Sequence, residues 1–151
     1  MAALADRLLQ QASISLAAGM RDAEKGGFNE PEYMRNYNAT SEADYYGAWA
    51  GYFQAMAMDP DDAGRKKLLL DAAATLGTWA DAKEDTGVNN QSLLLRGKAL
   101  AEAGELDKAA RDLAKANNAK APEWVQYQAR YQTVVVDLRK KDFATAHAHL
   151  Q

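Results

Sequence analysis

The sequence contains no cysteine. That excludes disulfides, thiolate metal sites and cysteine nucleophiles, and it leaves both reducing and oxidising compartments open. Histidine is almost as scarce. The two present, His147 and His149, stand two apart, so a helix would point them to different sides, whereas paired metal ligands on a helix stand four apart. The acidic run Asp59-Pro60-Asp61-Asp62 lacks the alternating ligands, the glycine and the distal Glu of a calcium loop, and suits helix capping instead. No glycine-rich phosphate loop or nucleophile elbow is present. The expectation is a chain with no metal, no cofactor and no catalytic residue; the less favoured alternative is an enzyme on a helical scaffold using Asp, Glu, Tyr and Lys alone.

Long apolar runs are missing too. The longest uncharged stretch, Tyr45 to Met58, falls short of the roughly 18 to 20 residues that a membrane-spanning helix needs. Positive charge is neither abundant nor banked. The net charge is -3, and the clusters Arg65-Lys66-Lys67 and Arg139-Lys140-Lys141 are short and flanked by apolar or acidic residues, so nucleic acid is not an expected partner. The opening "MAALADRLLQQ" carries Asp6 before Arg7 and lacks the basic-then-apolar order of a signal peptide. Removal of such a segment beforehand would leave localisation open.

What the chain does have is an average globular composition over 151 residues, 48% hydrophobic and 26% charged, enough for one folded domain with an ordinary core. Helical spacing dominates, and the only strand-like stretch is "TVVVD", 133–137. The apolar residues of 2–25 predict an amphipathic helix stopped by Gly26-Gly27. Residues 28–40 lack a clean period and read as an irregular loop with room for one short helix, so 1–41 forms a helix-and-loop segment before the hairpins of 42–151. Ser41 with Asp44 resembles a capping box, predicting a helix from about Glu42 to Met58. A following helix from Pro60 is expected to close at Gly77, and Thr78 with Asp81 to start a short one ending at Gly87. Further helices are predicted over about 91–103, 106–117, 122–140 and 143–150, joined so tightly that neighbours run antiparallel.

The stretch "RGKALAEAGELDKAARDLAKA" (96–116) thereby becomes two helices turned at Gly104. Leu93, Gly97 and Leu100 share a face of the first helix, and Ala109, Leu113 and Ala116 share one on the second. The small Gly97 and Ala109 stand where two backbones could approach closely. This spacing resembles the tetratricopeptide repeat over residues 90–122, with Arg96 where Leu is usual and Pro122 one residue late. Weaker echoes follow the same spacing at Ala48, Tyr52, Ala55 and Pro60, at Gly77, Trp79 and Ala82, and at Phe143, Ala146 and Leu150.

The resemblance implies an all-α fold of antiparallel helical hairpins stacked as a short tetratricopeptide-like superhelix. It also implies a protein-interaction module that holds a peptide segment or partner protein in a helical groove. Carried onto this chain, the groove positions are Gln91, Leu94, Lys98 and Glu102 in the best repeat, Lys67 and Asp71 one hairpin earlier, and Gln128 and Tyr131 one hairpin later. Leu94 and Leu95 interrupt the set of basic and amide residues with which the family clamps a terminal carboxylate, so that mode is not expected.

The aromatic helix allows two readings. Tyr45, Ala48, Tyr52 and Ala55 make one apolar stripe, and Trp49, Phe53 and Met56 a neighbouring one, so the helix needs cover on two sides. Burial within the chain would supply it. So would a surface where Tyr45, Trp49, Tyr52 and Phe53 meet a partner or a second copy in a homo-oligomer. The short final helix leaves a stacking face of the kind repeat arrays cap, which points to a subunit contact or to a piece of a longer protein.

Overall fold

A computed structural model of the protein describes residues 29–83 and 87–150, together with Ile14. Among these residues the fold is all-helical, with six helices and no strand: α1 (Glu30–Met56), α2 (Ala63–Ala80), α3 (Asn89–Glu102), α4 (Leu106–Ala116), α5 (Glu123–Arg139) and α6 (Phe143–Ala148). The helix expected over 2–25 lies outside the described residues, and the strand-like 133–137 is part of α5.

α1 corrects the sequence reading. It begins at Glu30, eleven or twelve residues before the expected start, because Asn29 caps it by accepting the Glu32 amide while Pro31 occupies the first turn, where no amide partner is needed. Ser41 is not a cap. It lies buried within the helix and its hydroxyl donates to the Asn38 carbonyl at 2.7 Å. Asp44 accepts instead from the Trp79 indole of α2 at 2.8 Å. The echo at Ala48, Tyr52 and Ala55 lies within this one continuous helix, which packs on the helix that follows it.

α2 runs through Gly77 rather than stopping there, and no helix starts at Thr78. Its cap is Asp62, whose side chain accepts from the Gly64 amide at 2.7 Å. Gly77 has a packing role: a Cβ at this position would stand 3.4 Å from a guanidinium nitrogen of Arg96.

The α3–α4 hairpin forms as the spacing predicts. Gly104 has φ +85°, the Glu105 amide donates to the Leu100 carbonyl at 2.8 Å, and the Gly104 amide donates to Ala101 at 3.2 Å. These two bonds satisfy carbonyls that a helix end leaves unpaired, and the left-handed residue between them turns the chain. The same pair recurs after α5, where Asp142 donates to Asp137 and Lys141 to Leu138, both at 3.0 Å, with Lys141 itself at φ +61°.

Each helix packs on the next in the chain, and α3 also touches α1 and α5. Ion pairs between helix ends fix the directions. Arg65 at the start of α2 reaches Glu102 at the end of α3 at 2.9 Å, and Lys140 after α5 reaches Asp107 at the start of α4 at 2.6 Å. The core runs continuously from Leu69 and Leu76 of α2, through Ala99 and Leu100 of α3 and Ala109, Leu113 and Ala116 of α4, to Val125, Ala129 and Val136 of α5. A Cβ on Gly97 would lie 2.9 Å from both Cγ and Cδ2 of Leu113. The two backbones therefore meet where the small residue sits.

Candidate binding groove

α1, α3 and α5 run side by side, and an open depression of about 140 Å³ lies across all three. Its α1 wall follows from helical arithmetic. Ala48, Tyr52 and Ala55 recur every three to four residues and are buried, whereas Trp49, Phe53 and Met56 sit one residue further round and face outward. Trp49 and Phe53 keep 46% and 47% of their surface exposed, with ring centroids 4.4 Å apart at 53°, so each ring orders the other while both remain reachable. Tyr45 lines the same wall, half-buried against the core.

α3 supplies the floor. Leu94 and Leu95 are buried at its base, Gln91 stands half-exposed at one end and Lys98 at the other. The Lys98 ammonium lies 5.6 Å from the centroid of the buried Tyr52 ring, within cation–π range. Burial holds this ammonium below the ordinary lysine range, and the nearby Glu102 offsets part of that effect. Yet Glu102 is already taken. It accepts from Arg65 at 2.9 Å and pairs with Arg139, which also donates to the Ala101 carbonyl at 2.9 Å. Among the described residues no carboxylate forms an ion pair with Lys98. Burial also raises the Tyr52 phenol, with Glu102 adding to the shift and Arg139 and Arg65 opposing it.

The groove residues expected from the sequence thus divide. Gln91, Leu94 and Lys98 come together in the depression with Tyr45, Trp49 and Phe53, joining two sets that the sequence kept apart. Tyr52 lies beneath it in the core and Glu102 is held between two arginines. Gln128 and Tyr131 continue along α5 past the depression, the first half-buried and the second exposed. Lys67 and Asp71 are elsewhere on α2, paired with each other, and Asp71 borders a separate hollow against α1. Trp124 was missed. It forms the α5 wall with 51% of its surface exposed, one turn before Gln128 on the same helical line, and that spacing was the available signal.

The chain matches no family model, no curated protein and no solved structure.

Two further hollows are built differently. Between α4 and α5, about 410 Å³ is lined partly by Arg130, Thr133, Asp137 and His149, and here His149 Nδ1 lies 2.8 Å from the buried Asp137 carboxylate. Between α2 and α4, Arg96 donates to Asp112 at 2.6 and 2.8 Å and to Asp81 at 2.6 Å. Burial opposes the charge on Arg96, and these bonds outweigh it and raise the guanidinium above its ordinary value. Among the described residues no helix is long and apolar enough to cross a membrane, and no group of acidic or histidine side chains is arranged to hold a metal ion.

Proposed function

We propose that the chain is a tetratricopeptide-like scaffold that binds an extended segment of a partner protein along the groove between α1, α3 and α5. The observation that carries this reading is the groove itself: Trp49, Phe53 and Trp124 stand half-exposed over buried leucines, beside Lys98, which forms no ion pair among the described residues. Large aromatics around a preformed apolar floor are the usual energetic centre of a protein interface, and a rigid surface lowers the ordering cost of association. The repeat-like arrangement is supported by the touching α1, α3 and α5, by the close approach at Gly97, and by the helix-ending turn that recurs at Gly104 and Lys141. α5 departs from strict periodicity, with 17 residues against 14 in α3, close to one extra turn.

In this reading the chain binds without catalysing. Glu102, one turn beyond Lys98 on α3, is already occupied by two arginines. The test is affinity capture from the native source, comparing wild type with Trp49→Ala/Trp124→Ala. The double variant removes exposed rings and should retain its helical circular dichroism while losing its partner at least about tenfold, as two interface anchors require. Equal recovery by both proteins overturns the reading. Leu94→Glu would be uninformative, since it buries a charge in the floor.

A second reading rests on α5. Tyr127 and Tyr131 stand exposed one turn apart on α5, and Leu138 near its end and Phe143 of α6 are exposed as well, a surface suited to joining copies of the chain. Sedimentation across a hundredfold range of concentration separates the two. A mass that rises in wild type but stays monomeric in Tyr127→Glu/Tyr131→Glu supports self-association.

A further inference from the structure

The charge along the groove is uneven, and that unevenness selects an occupant. At the Trp124 end the lining is aromatic, apolar or amide: Trp49, Trp124 and Gln91. At the other end, towards the finish of α3, stands Lys98, the one charged residue of the lining, while Glu102 one turn further on is taken by Arg65 and Arg139. Arg65 and Arg139 already have carboxylate and carbonyl partners, whereas Lys98 lies over the face of Tyr52 and makes no ion pair among the described residues, feeling Glu102 only through a carboxylate that both arginines share. A half-buried ammonium whose nearest carboxylate is already bound by two arginines is only partly compensated, and an incoming carboxylate would relieve it.

From this arrangement we infer that the groove recognises an internal acidic side chain, Asp or Glu, of an extended partner segment that carries a large apolar residue two positions away. The spacing comes from geometry. Lys98 lies one helical turn beyond Leu94 and Leu95, roughly 5.4 Å along α3, and residues i and i+2 of an extended chain point the same way at about 6.6 Å separation. The apolar residue would rest on the leucines between Trp49 and Trp124, and the acid would reach Lys98. This inference rests on the groove being the docking surface. Nucleic acid would also stack on exposed aromatics, but a single cation in the lining, in a chain of net charge -3, gives little hold on a phosphate backbone.

The test uses the whole chain and a displayed library of random twelve-residue peptides, fused through their C-termini so that no free carboxylate is offered. Wild type should enrich peptides with Asp or Glu two positions from Leu, Phe or Trp. Lys98→Met keeps the apolar stem and removes the charge. It should weaken the enriched peptides by about tenfold or more, as loss of a charge-assisted bond implies, and should abolish the acidic preference on a fresh selection. Binding should be unaffected when the same peptides are synthesised with amidated C-termini. If enriched peptides depend on Trp124 but show no acidic preference, or keep it in Lys98→Met, the inference fails and the groove reading survives. If they are indifferent to both Trp49→Ala and Trp124→Ala, or none is enriched, both fail. Tighter binding of a dT12 oligonucleotide than of any peptide overturns the inference as well.

Discussion

Lys141 holds a left-handed conformation, φ +61°, at the position where the equivalent turn after α3 has Gly104 at φ +85°. A side chain there costs about 1 to 2 kcal/mol through the clash between Cβ and backbone, and glycine avoids it at the expense of a more flexible unfolded chain. Lys141→Gly should therefore stabilise the protein by about 0.5 to 1 kcal/mol, read as a higher urea midpoint with an unchanged slope. Gly97 has the opposite constraint. Here the backbone is ordinary helix, and alanine would be the better helix former by about 1 kcal/mol. But its Cβ would stand 2.9 Å from two Leu113 carbons. Because Leu113 is fully buried and cannot swing aside, Gly97→Ala should lose a net 1 to 2 kcal/mol or so. Leu113→Ala in the same chain should cost less than it does alone, because the two changes share one space. A double-mutant cycle of unfolding free energies checks this.

Between helices, Arg96 builds a buried ion network, placing a guanidinium whose side chain is 13% exposed against an Asp112 side chain that is 8% exposed. Arg96→Leu leaves that carboxylate buried without its cation and should destabilise by about 3 kcal/mol, whereas Arg96→Leu/Asp112→Leu should recover most of the loss. Asp81 is held below its ordinary value, first by the hydrogen bond from Arg96. A depressed carboxylate contributes stability above its unfolded value near pH 4 and loses it as the pH falls through the lower folded one. The stability gap between wild type and Asp81→Asn should therefore be present at pH 6 and close in strong acid. Asp81 is more than half exposed, which keeps the gap small. The same network explains where sequence reading stopped. Gly104 was legible because a turn of this kind is local, and the helices on either side of it were read within a residue or two. Gly77 was misread as a helix stop because its reason, room for Arg96, lies on another helix. Asp44 was misread as part of a cap because its donor, the Trp79 indole, is 35 residues away. The groove was half legible for the same reason. Each helix showed its own exposed line, but nothing local said that Trp49, Lys98 and Trp124 would share one depression.

Across the whole molecule, stability should fall away from the middle of the stack. Among the described residues α3 touches α1, α2, α4 and α5, while α6 has only six residues and packs on α5 alone. Its additional ties are the Asp142 cap on Thr145 and the clasp between His149 and Asp137. In a stack of this kind each unit is held mainly by its neighbours, so an end helix can open without the centre. Native-state hydrogen exchange should find the amides of α3 and the adjoining faces of α2 and α4 opening only with global unfolding, and those of α6 several kcal/mol more easily, on the order of a local event. His149 is about half exposed, so His149→Ala should lower protection in α6 by no more than about 1 kcal/mol and leave α3 unchanged. Equal opening free energies for α6 and α3 would mean that the six helices act as one cooperative unit. The groove would then be rigid only as far as the entire chain is folded. A gradient places the stiffest helix at the floor of the groove, where Leu94, Leu95 and Lys98 must hold still for a partner to be read.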